Sequence, residues 1–281
     1  MEYETISCRT ALSPSRLPGL AYSLNPYFGC EHGCLYCYSG SVFRSEEIAR
    51  RWGTFVKAKS NIAEVLAKEL RAKAKGTIGL STVTDPYQPV ESKLQLTRSC
   101  LNVLAKHEFK VSIQTKSSLV LRDSDLISGP KFDVGVTITT MDPELSEKLE
   151  PRASSPNERQ QILESYSDRK VETWVFLGPI LPYVNDQPES LEGIVRIAKA
   201  TNSRLLYDKL NLRPWVLQKL RPFLEREAPQ ALESMPLLLR EGSEYWKMIS
   251  TRIQKTCRDH GVRCESAFPT VRLSRNHDVS Q

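Results

Sequence analysis

From residue 77 to about residue 213 the chain repeats one unit, a short run of β-forming residues followed by a stretch with helical periodicity. The strand runs are TIGLSTV (77–83), KVSIQT (110–115), DVGVTITT (133–140), VETWVFLG (171–178) and RLLYDKLNL (204–212). LTRSCLNVLAKH and SPNERQQILESYS lie between them. SNIAEVLAKELRAKAK (60–75) precedes the first, with Asn61 and Glu64 spaced as a capping box. AYSLNP (21–26) reads as one more strand, which makes six β–α units. Such alternation calls for a parallel sheet, because each return to a parallel neighbour needs a crossover.

The strand faces separate an open doubly wound sheet from a barrel. A doubly wound sheet is buried on both faces and reads apolar throughout. Here Val111 and Ile113 oppose Ser112, Gln114 and Lys116, and Val134, Val136 and Ile138 oppose Gly135, Thr137 and Thr139. In LLYDKLNLR the row Tyr207, Lys209, Asn211, Arg213 is polar and is assigned to the interior. Strands that are apolar outside and polar inside suit a barrel with a wet chamber. The expected fold is α/β, a partial (βα)6 barrel over residues 20–213. Residues 1–19 form an N-terminal extended segment, and 214–281 a mostly helical extension packed on the barrel.

Three of seven cysteines, Cys30, Cys34 and Cys37, crowd into the loop NPYFGCEHGCLYCY that follows the 21–26 strand. No apolar run approaches the ~20 residues of a membrane helix, and the N-terminus lacks the basic-then-apolar order of a signal peptide. The chain reads as cytoplasmic, where clustered cysteines bind metal or do chemistry more often than they form disulfides. Structural zinc takes four closed ligands, usually two CxxC-type pairs; the second pair is missing here, and His32 inside the loop is poorly placed as a fourth ligand. Three thiolates with one position open suit a [4Fe–4S] cluster that leaves one iron free for another ligand.

The C-x3-C-x2-C spacing, with Tyr36 before the third cysteine, resembles the signature of the radical SAM superfamily. Together with TDPYQPVE (84–91), TKS (115–117) and EPRASSP (150–156), it resembles more narrowly the spore photoproduct lyase-like branch, often labelled DNA repair photolyase. The resemblance implies a partial (βα)6 barrel, a [4Fe–4S] cluster on Cys30, Cys34 and Cys37, and S-adenosylmethionine (SAM) on the open iron. It implies cleavage of SAM to a 5′-deoxyadenosyl radical that abstracts a hydrogen atom, with an electron donor such as flavodoxin or ferredoxin as partner. Tyr36 and Tyr38 match tyrosines tied to cofactor contact and radical relay, Lys116 a SAM-contacting lysine, and Thr137, with Thr139 on the same face, falls near a serine on the fourth strand. The lyase keeps a hydrogen-donating cysteine about three residues before the aspartate that matches Asp85; Thr82 stands there, and neither Val83 nor Thr84 offers a thiol.

Other residues carry two readings each. Lys116 is either a ligand contact or a solvated strand-end charge. Asp85 is a turn-former before proline or a functional acid at the catalytic end of a barrel. Arg152 binds a carboxylate of SAM or substrate, or pairs with Glu150. Lys209 and Asn211 contact substrate, or Lys209 is buried against an internal acid such as Asp85. Cys8, Cys257 and Cys264 hold a second cluster or are buried apolar thiols.

Charge adds one partner. The chain carries 39 Lys+Arg against 33 Asp+Glu, and residues 204–281 hold 14 against 9, so the excess is almost all C-terminal. Within 245–258, Lys247, Arg252, Lys255 and Arg258 form an arc opposite an apolar stripe of Trp246, Ile249, Ile253 and Cys257. The arc is a solvated face or a footprint for a nucleic-acid backbone. A radical SAM enzyme acting on nucleic acid therefore stands beside one acting on a small metabolite or peptide, and beside a non-catalytic zinc-binding RNA-binding module.

Overall fold

The computed structural model describes residues 1–268. Residues 269–281, with Arg272 and Arg275 of the basic C-terminal segment, lie outside the described residues. In chain order come strands β1 (Glu2–Ile6), β2 (Leu12–Pro14), β3 (Tyr22–Leu24) and β4 (Tyr27–Phe28). The cysteine loop is followed by α1 (Ser39–Val42), α2 (Glu46–Arg51), β5 (Phe55–Lys59) and α3 (Ile62–Glu69). Then come β6 (Ile78–Leu80), α4 (Glu91–Leu94), α5 (Leu96–Leu104), β7 (Val111–Thr115) and β8 (Phe132–Ile138). The chain continues with α6 (Pro143–Leu149), α7 (Pro156–Asp168), β9 (Glu172–Ile180), α8 (Pro188–Ala200) and β10 (Arg204–Lys209). Helices α9 (Pro214–Glu227), α10 (Pro229–Leu238) and α11 (Glu244–His260) precede β11 (Cys264–Ser266).

Eight strands form one sheet in the order β11-β10-β9-β8-β7-β6-β3-β2. From β3 to β10 every neighbouring pair is parallel and follows chain order, so the six expected β–α units are present. β2 adds antiparallel to β3, and β11 parallel to β10. Among the described residues these two are the sheet's edges and the barrel is open. A second sheet, β1-β5-β4, was invisible in the sequence, because EYETI offers no apolar face and β4 is two residues long. It frames the cysteine loop.

One face of the large sheet carries Leu80, Val111, Ile113, Val134, Val136, Val175, Leu177, Leu205 and Tyr207. All are fully buried against apolar residues of α3, α5, α7, α8 and α11. Burying each such aliphatic side chain contributes roughly 1.5–3 kcal/mol, so this face fixes the register of the whole sheet. The opposite, inner face is half-buried and polar: Ser112, Gln114, Lys116, Asp133, Arg204 and Asp208, with Phe176 and Leu206. The register sets Ser112 beside Asp133 and Gln114 beside Gly135. Trp174 lies across Gly135, where any Cβ would meet its ring at 2.1 Å.

The phase of β10 differs from the sequence reading. Tyr207 belongs to the outer face, where its hydroxyl is 2.8 Å from Ser250 Oγ of α11. Lys209 shares that face and donates to the carbonyls of Leu239 (2.7 Å) and Arg240 (3.2 Å), and Asn211 is exposed beyond the strand. Asp208 faces the chamber instead. Leu205 and Leu206 are both apolar, so alternation alone left two phases open. The proposed capping box also dissolves: Asn61 caps α3 without a side-chain bond, because its amide exchanges two hydrogen bonds with the backbone of Cys8.

Gly29 joins β4 to the cysteine loop at φ +92°, and a Cβ there would stand 2.3 Å from the Phe55 carbonyl oxygen of β5. Gly29→Ala should lower stability by about 2 kcal/mol or more, read as an earlier urea midpoint than wild type. An unchanged midpoint would show that β4 and β5 can part without cost.

Candidate active site

The cysteine loop lies between the small sheet and the C-terminal ends of the parallel strands, and its backbone at Gly29 and Glu31 is held by side chains from elsewhere in the chain. Gln88, fully buried, donates to the Gly29 carbonyl at 3.4 Å and accepts the Glu31 amide at 2.7 Å. Thr84 Oγ1 donates to the same Gly29 carbonyl at 2.6 Å. The Glu31 carboxylate accepts the Val90 amide at 2.8 Å and the Tyr3 hydroxyl at 2.7 Å. Arg152 donates to the Glu31 carbonyl at 2.8 Å. The stretch TDPYQPVE is thus a clamp on the thiol loop, and Arg152 binds backbone rather than Glu150. Each bond contributes about 1 kcal/mol, and leaving any of these buried groups unpaired costs about 1–3.

Asp85 is buried and its oxygens are occupied: the Tyr87 amide at 2.9 Å, Thr115 Oγ1 at 2.7 Å and the Lys116 amide at 2.8 Å. It holds the end of β7 to the loop after β6. His32 Nδ1 lies 3.4 Å from the same carboxylate. Burial holds the imidazole below its ordinary pKa, opposed by Asp85. That contact commits His32 away from a fourth-ligand role.

Cys30 and Cys34 are buried, and Cys37 is half-buried. Burial first, then the Asp85 carboxylate, pushes the Cys30 thiol up to about 12, while amides of Asp85 and His32 pull it down. Burial raises Cys34 too, with Lys116 opposing. The thiols sense one another electrostatically, yet among the described residues no three His, Cys, Asp or Glu side chains converge as they would on a single ion. Cysteine sulfurs around an iron–sulfur cube stand farther apart than around one zinc, whose Zn–S bonds are about 2.3 Å. Three cysteine thiols on one loop are the donor chemistry that such a cluster takes.

Lys116 directly follows β7 at the rim of the chamber, with its ammonium 5.9 Å from the Tyr36 ring centroid. That ammonium makes no hydrogen bond or ion pair to another described residue. Burial lowers its pKa, but Cys34, Glu150 and Asp85 outweigh that and raise it, so the amine stays charged. Tyr36 is buried and pinned from below: its hydroxyl bonds Glu150 and lies 3.2 Å from Thr139 Oγ1. Burial and then Glu150 raise its pKa well above normal. Thr139 Oγ1, fully buried, also lies 3.0 Å from the Glu150 carboxylate and 3.1 Å from the Gly178 carbonyl oxygen, either of which accepts its one proton. Its hydroxyl therefore holds Tyr36 rather than facing the chamber. Glu150 pairs with Arg159 at 2.5 Å, both fully buried.

Thr137 faces inward beside Phe176, and its hydroxyl accepts from Gln114 at 3.1 Å. Thr82 sits above Gly79, its amide bound to Asn25 Oδ1 at 3.0 Å. Tyr38 is half-buried; burial raises its pKa, Cys37 and Asp208 add to that, and Lys116 and Arg213 oppose. Asp208, which the sequence reading missed, is pushed up to about 6 by burial, with the neighbouring Lys209 holding it lower. The signal was present as the alternation Arg204, Leu206, Asp208, but the phase was not. Asp133, also missed, accepts Ser112 Oγ at 2.6 Å and Trp174 Nε1 at 2.7 Å on the chamber floor.

Helices α9 and α10 pack Val216, Leu220, Phe223, Ala231 and Met235 with Cys34 and Tyr36, so they roof the loop. The α11 stripe is buried against the outer face of the sheet as expected, which turns its basic arc away from the chamber. Lys247 is paired with Glu244 at 2.6 Å. Cys257 contacts Cys264 on β11, while Cys8 lies beside α3; the three do not assemble into a second cluster site.

Residues 24–195 match the radical SAM superfamily. The chain belongs to that superfamily. It is a radical SAM enzyme, and its fold is that of spore photoproduct lyase. A spore photoproduct lyase complexed with dinucleoside spore photoproduct superposes with a TM-score of 0.69 at 14% identity, covering 95% of this chain and 82% of that one. A lyase variant with bound AdoMet and the same dinucleoside gives 0.68 at 13%, with the same coverage. A radical SAM methyltransferase from Sphaerobacter thermophilus gives 0.54 at 14%, covering 87% and 65%. In sequence, an uncharacterised protein of Methanocaldococcus jannaschii is 30% identical over 83% of this chain and 86% of its own length. One from Mycobacterium tuberculosis is 28% identical over 89% and 78%. Among the described residues of this radical SAM enzyme, no helix is long and apolar enough to cross a membrane.

Removing one member of the Glu150–Arg159 pair should be far more damaging than removing both, because a buried charge would be left alone. Glu150→Ala is expected to cost about 3–5 kcal/mol in urea unfolding, with the double change Glu150→Ala/Arg159→Met costing less than the sum of the single changes.

Proposed function

We propose that this enzyme holds a [4Fe–4S] cluster on Cys30, Cys34 and Cys37, cleaves SAM reductively in the cytoplasm, and abstracts a hydrogen atom from a nucleic-acid substrate. The observation that carries the reading is the three-thiol loop, held by Gln88, Thr84 and Arg152, beside a charged lysine whose ammonium has no partner among the described residues. When bound and reduced, by a donor such as flavodoxin or ferredoxin, the cluster supplies the electron that splits SAM to methionine and a 5′-deoxyadenosyl radical.

The chain's own residues do the rest. Lys116 would hold the SAM carboxylate, since its ammonium is charged and has no partner among the described residues. Thr137 and Gln114 line the next stretch of wall, and Glu150 with Thr139 fixes Tyr36 beside the cysteine loop. Helices α9 and α10 exclude water from the thiols. Tyr38, Asp208 and Arg213 ring the substrate side. Two things support a nucleic-acid substrate: the likeness to a lyase solved with a dinucleoside lesion, and the C-terminal basic surplus. The outward aspect of the α11 arc means that any backbone grip there is remote from the chemistry.

Lys116→Ala should weaken SAM binding severalfold in equilibrium dialysis while iron content holds. Cys30→Ala, the control, should lose the cluster's visible absorption and SAM cleavage together. Unchanged SAM affinity in Lys116→Ala would remove the lysine from the site.

The enzyme is expected to leave spore-photoproduct dinucleotide largely unrepaired under dithionite. Closing that reaction needs a hydrogen-atom donor, and the segment Ser81-Thr82-Val83-Thr84 offers only hydroxyls, whose O–H bonds are too strong. Stoichiometric thymine release well above a Cys30→Ala control would overturn this.

A further inference from the structure

Trp52 directly follows α2 and packs against the cysteine loop through Cys30 and Cys37. It is 3% exposed, and its indole Nε1 is buried with no hydrogen-bond partner among the described residues. Buried polar groups of this kind are rare, because leaving one unpaired costs about 1–3 kcal/mol. The ring cannot turn to find an acceptor. It stacks on Phe43 with centroids 5.6 Å apart, and Phe28 and Phe55 meet it edge-on at 6.1 Å each. Gly40 lies against its other end, where a Cβ would touch Trp52 Cβ at 2.9 Å. The same aromatic sheath keeps water out.

The packing cluster around the indole contains Phe28, Phe43, Ile48 and Phe55, and two sulfur residues, Cys30 and Cys37. Among the described residues the indole N–H has no acceptor, and the two sulfurs packed in its cluster are ones that would carry the [4Fe–4S] group. A second positive group adjoins the same place: Lys219 of α9 donates to the Trp52 carbonyl. Its charge is felt by Cys37 and Cys34, which oppose the lowering of its pKa by burial.

Resting on the cluster assignment above, we infer that the Trp52 indole N–H donates a hydrogen bond to a sulfur of the bound [4Fe–4S] cluster and raises its reduction potential. A donor aimed at a sulfur stabilises the reduced, more negative state more than the oxidised one, which is how hydrogen bonds set cluster potentials. Trp52 is a positioning and tuning residue, not a reacting one.

Trp52→Phe keeps an aromatic ring and deletes the donor. The anaerobically reconstituted variant should bind as much iron and sulfide as wild type, yet have a more negative midpoint in spectroelectrochemical titration. A purely structural role would move iron content or stability and leave the midpoint alone. In wild type with 15N-indole tryptophan, pulsed EPR of the reduced cluster should show one coupled indole nitrogen. Equal midpoints at equal iron content, or no such coupling in wild type, would overturn the inference. The wild-type spectrum decides the question even if Trp52→Phe fails to fold. A wild-type protein that builds no [4Fe–4S] signal at all would overturn the cluster reading, and this inference with it.

Discussion

The amide and carbonyl groups between Gly29 and Glu31 govern this molecule, because three thiols can meet one cofactor only if the backbone carrying them does not move. That segment is neither helix nor strand, so its buried polar atoms have no ladder to join. Gln88, Thr84 and Arg152 supply the missing partners from positions far away in sequence. The parallel sheet in turn positions those partners, since the loop after β6 is tied to β7 through Asp85. The core burial that fixes sheet register therefore also fixes the cysteines.

A second dependence is electrostatic. Glu150 and Arg159 are both removed from water, and the pair stands directly under Tyr36. Isolated, either charge would be prohibitive there. Together they form a rigid floor, and Glu150 helps keep Lys116 charged above it. The chamber beyond has acids at both ends, Asp133 on the floor and Asp208 near Tyr38. Burial favours the protonated form of each.

Much of this was legible in one dimension. The β–α rhythm, the six units and the wet inner face follow from periodicity, since β7 and β8 alternate cleanly between Val or Ile and polar residues. The cysteine spacing singled out the loop that the fold sets at the ends of the parallel strands. Where alternation was ambiguous the reading slipped: two adjacent leucines in β10 hid the true phase, so Lys209 was turned inward and Asp208 overlooked. Asn61 showed a capping pattern, but the N-terminal segment claimed its side chain.

The sequence by itself determined the fold class, the clustering of three thiols in one loop and the absence of a cysteine in the segment before Asp85, because periodicity, spacing and residue identity are local properties. Only the tertiary structure decided what the residues around the thiols do. Asp85 and Thr84, candidates for chemistry, became struts; Arg152 bound backbone and not a carboxylate; Thr139 went beneath Tyr36. Each has a polar group with a partner more than ten residues away in the chain, and which partner wins depends on which loops the sheet brings together. Hydrogen-bond demand is written in the residue type, but its satisfaction is settled in space.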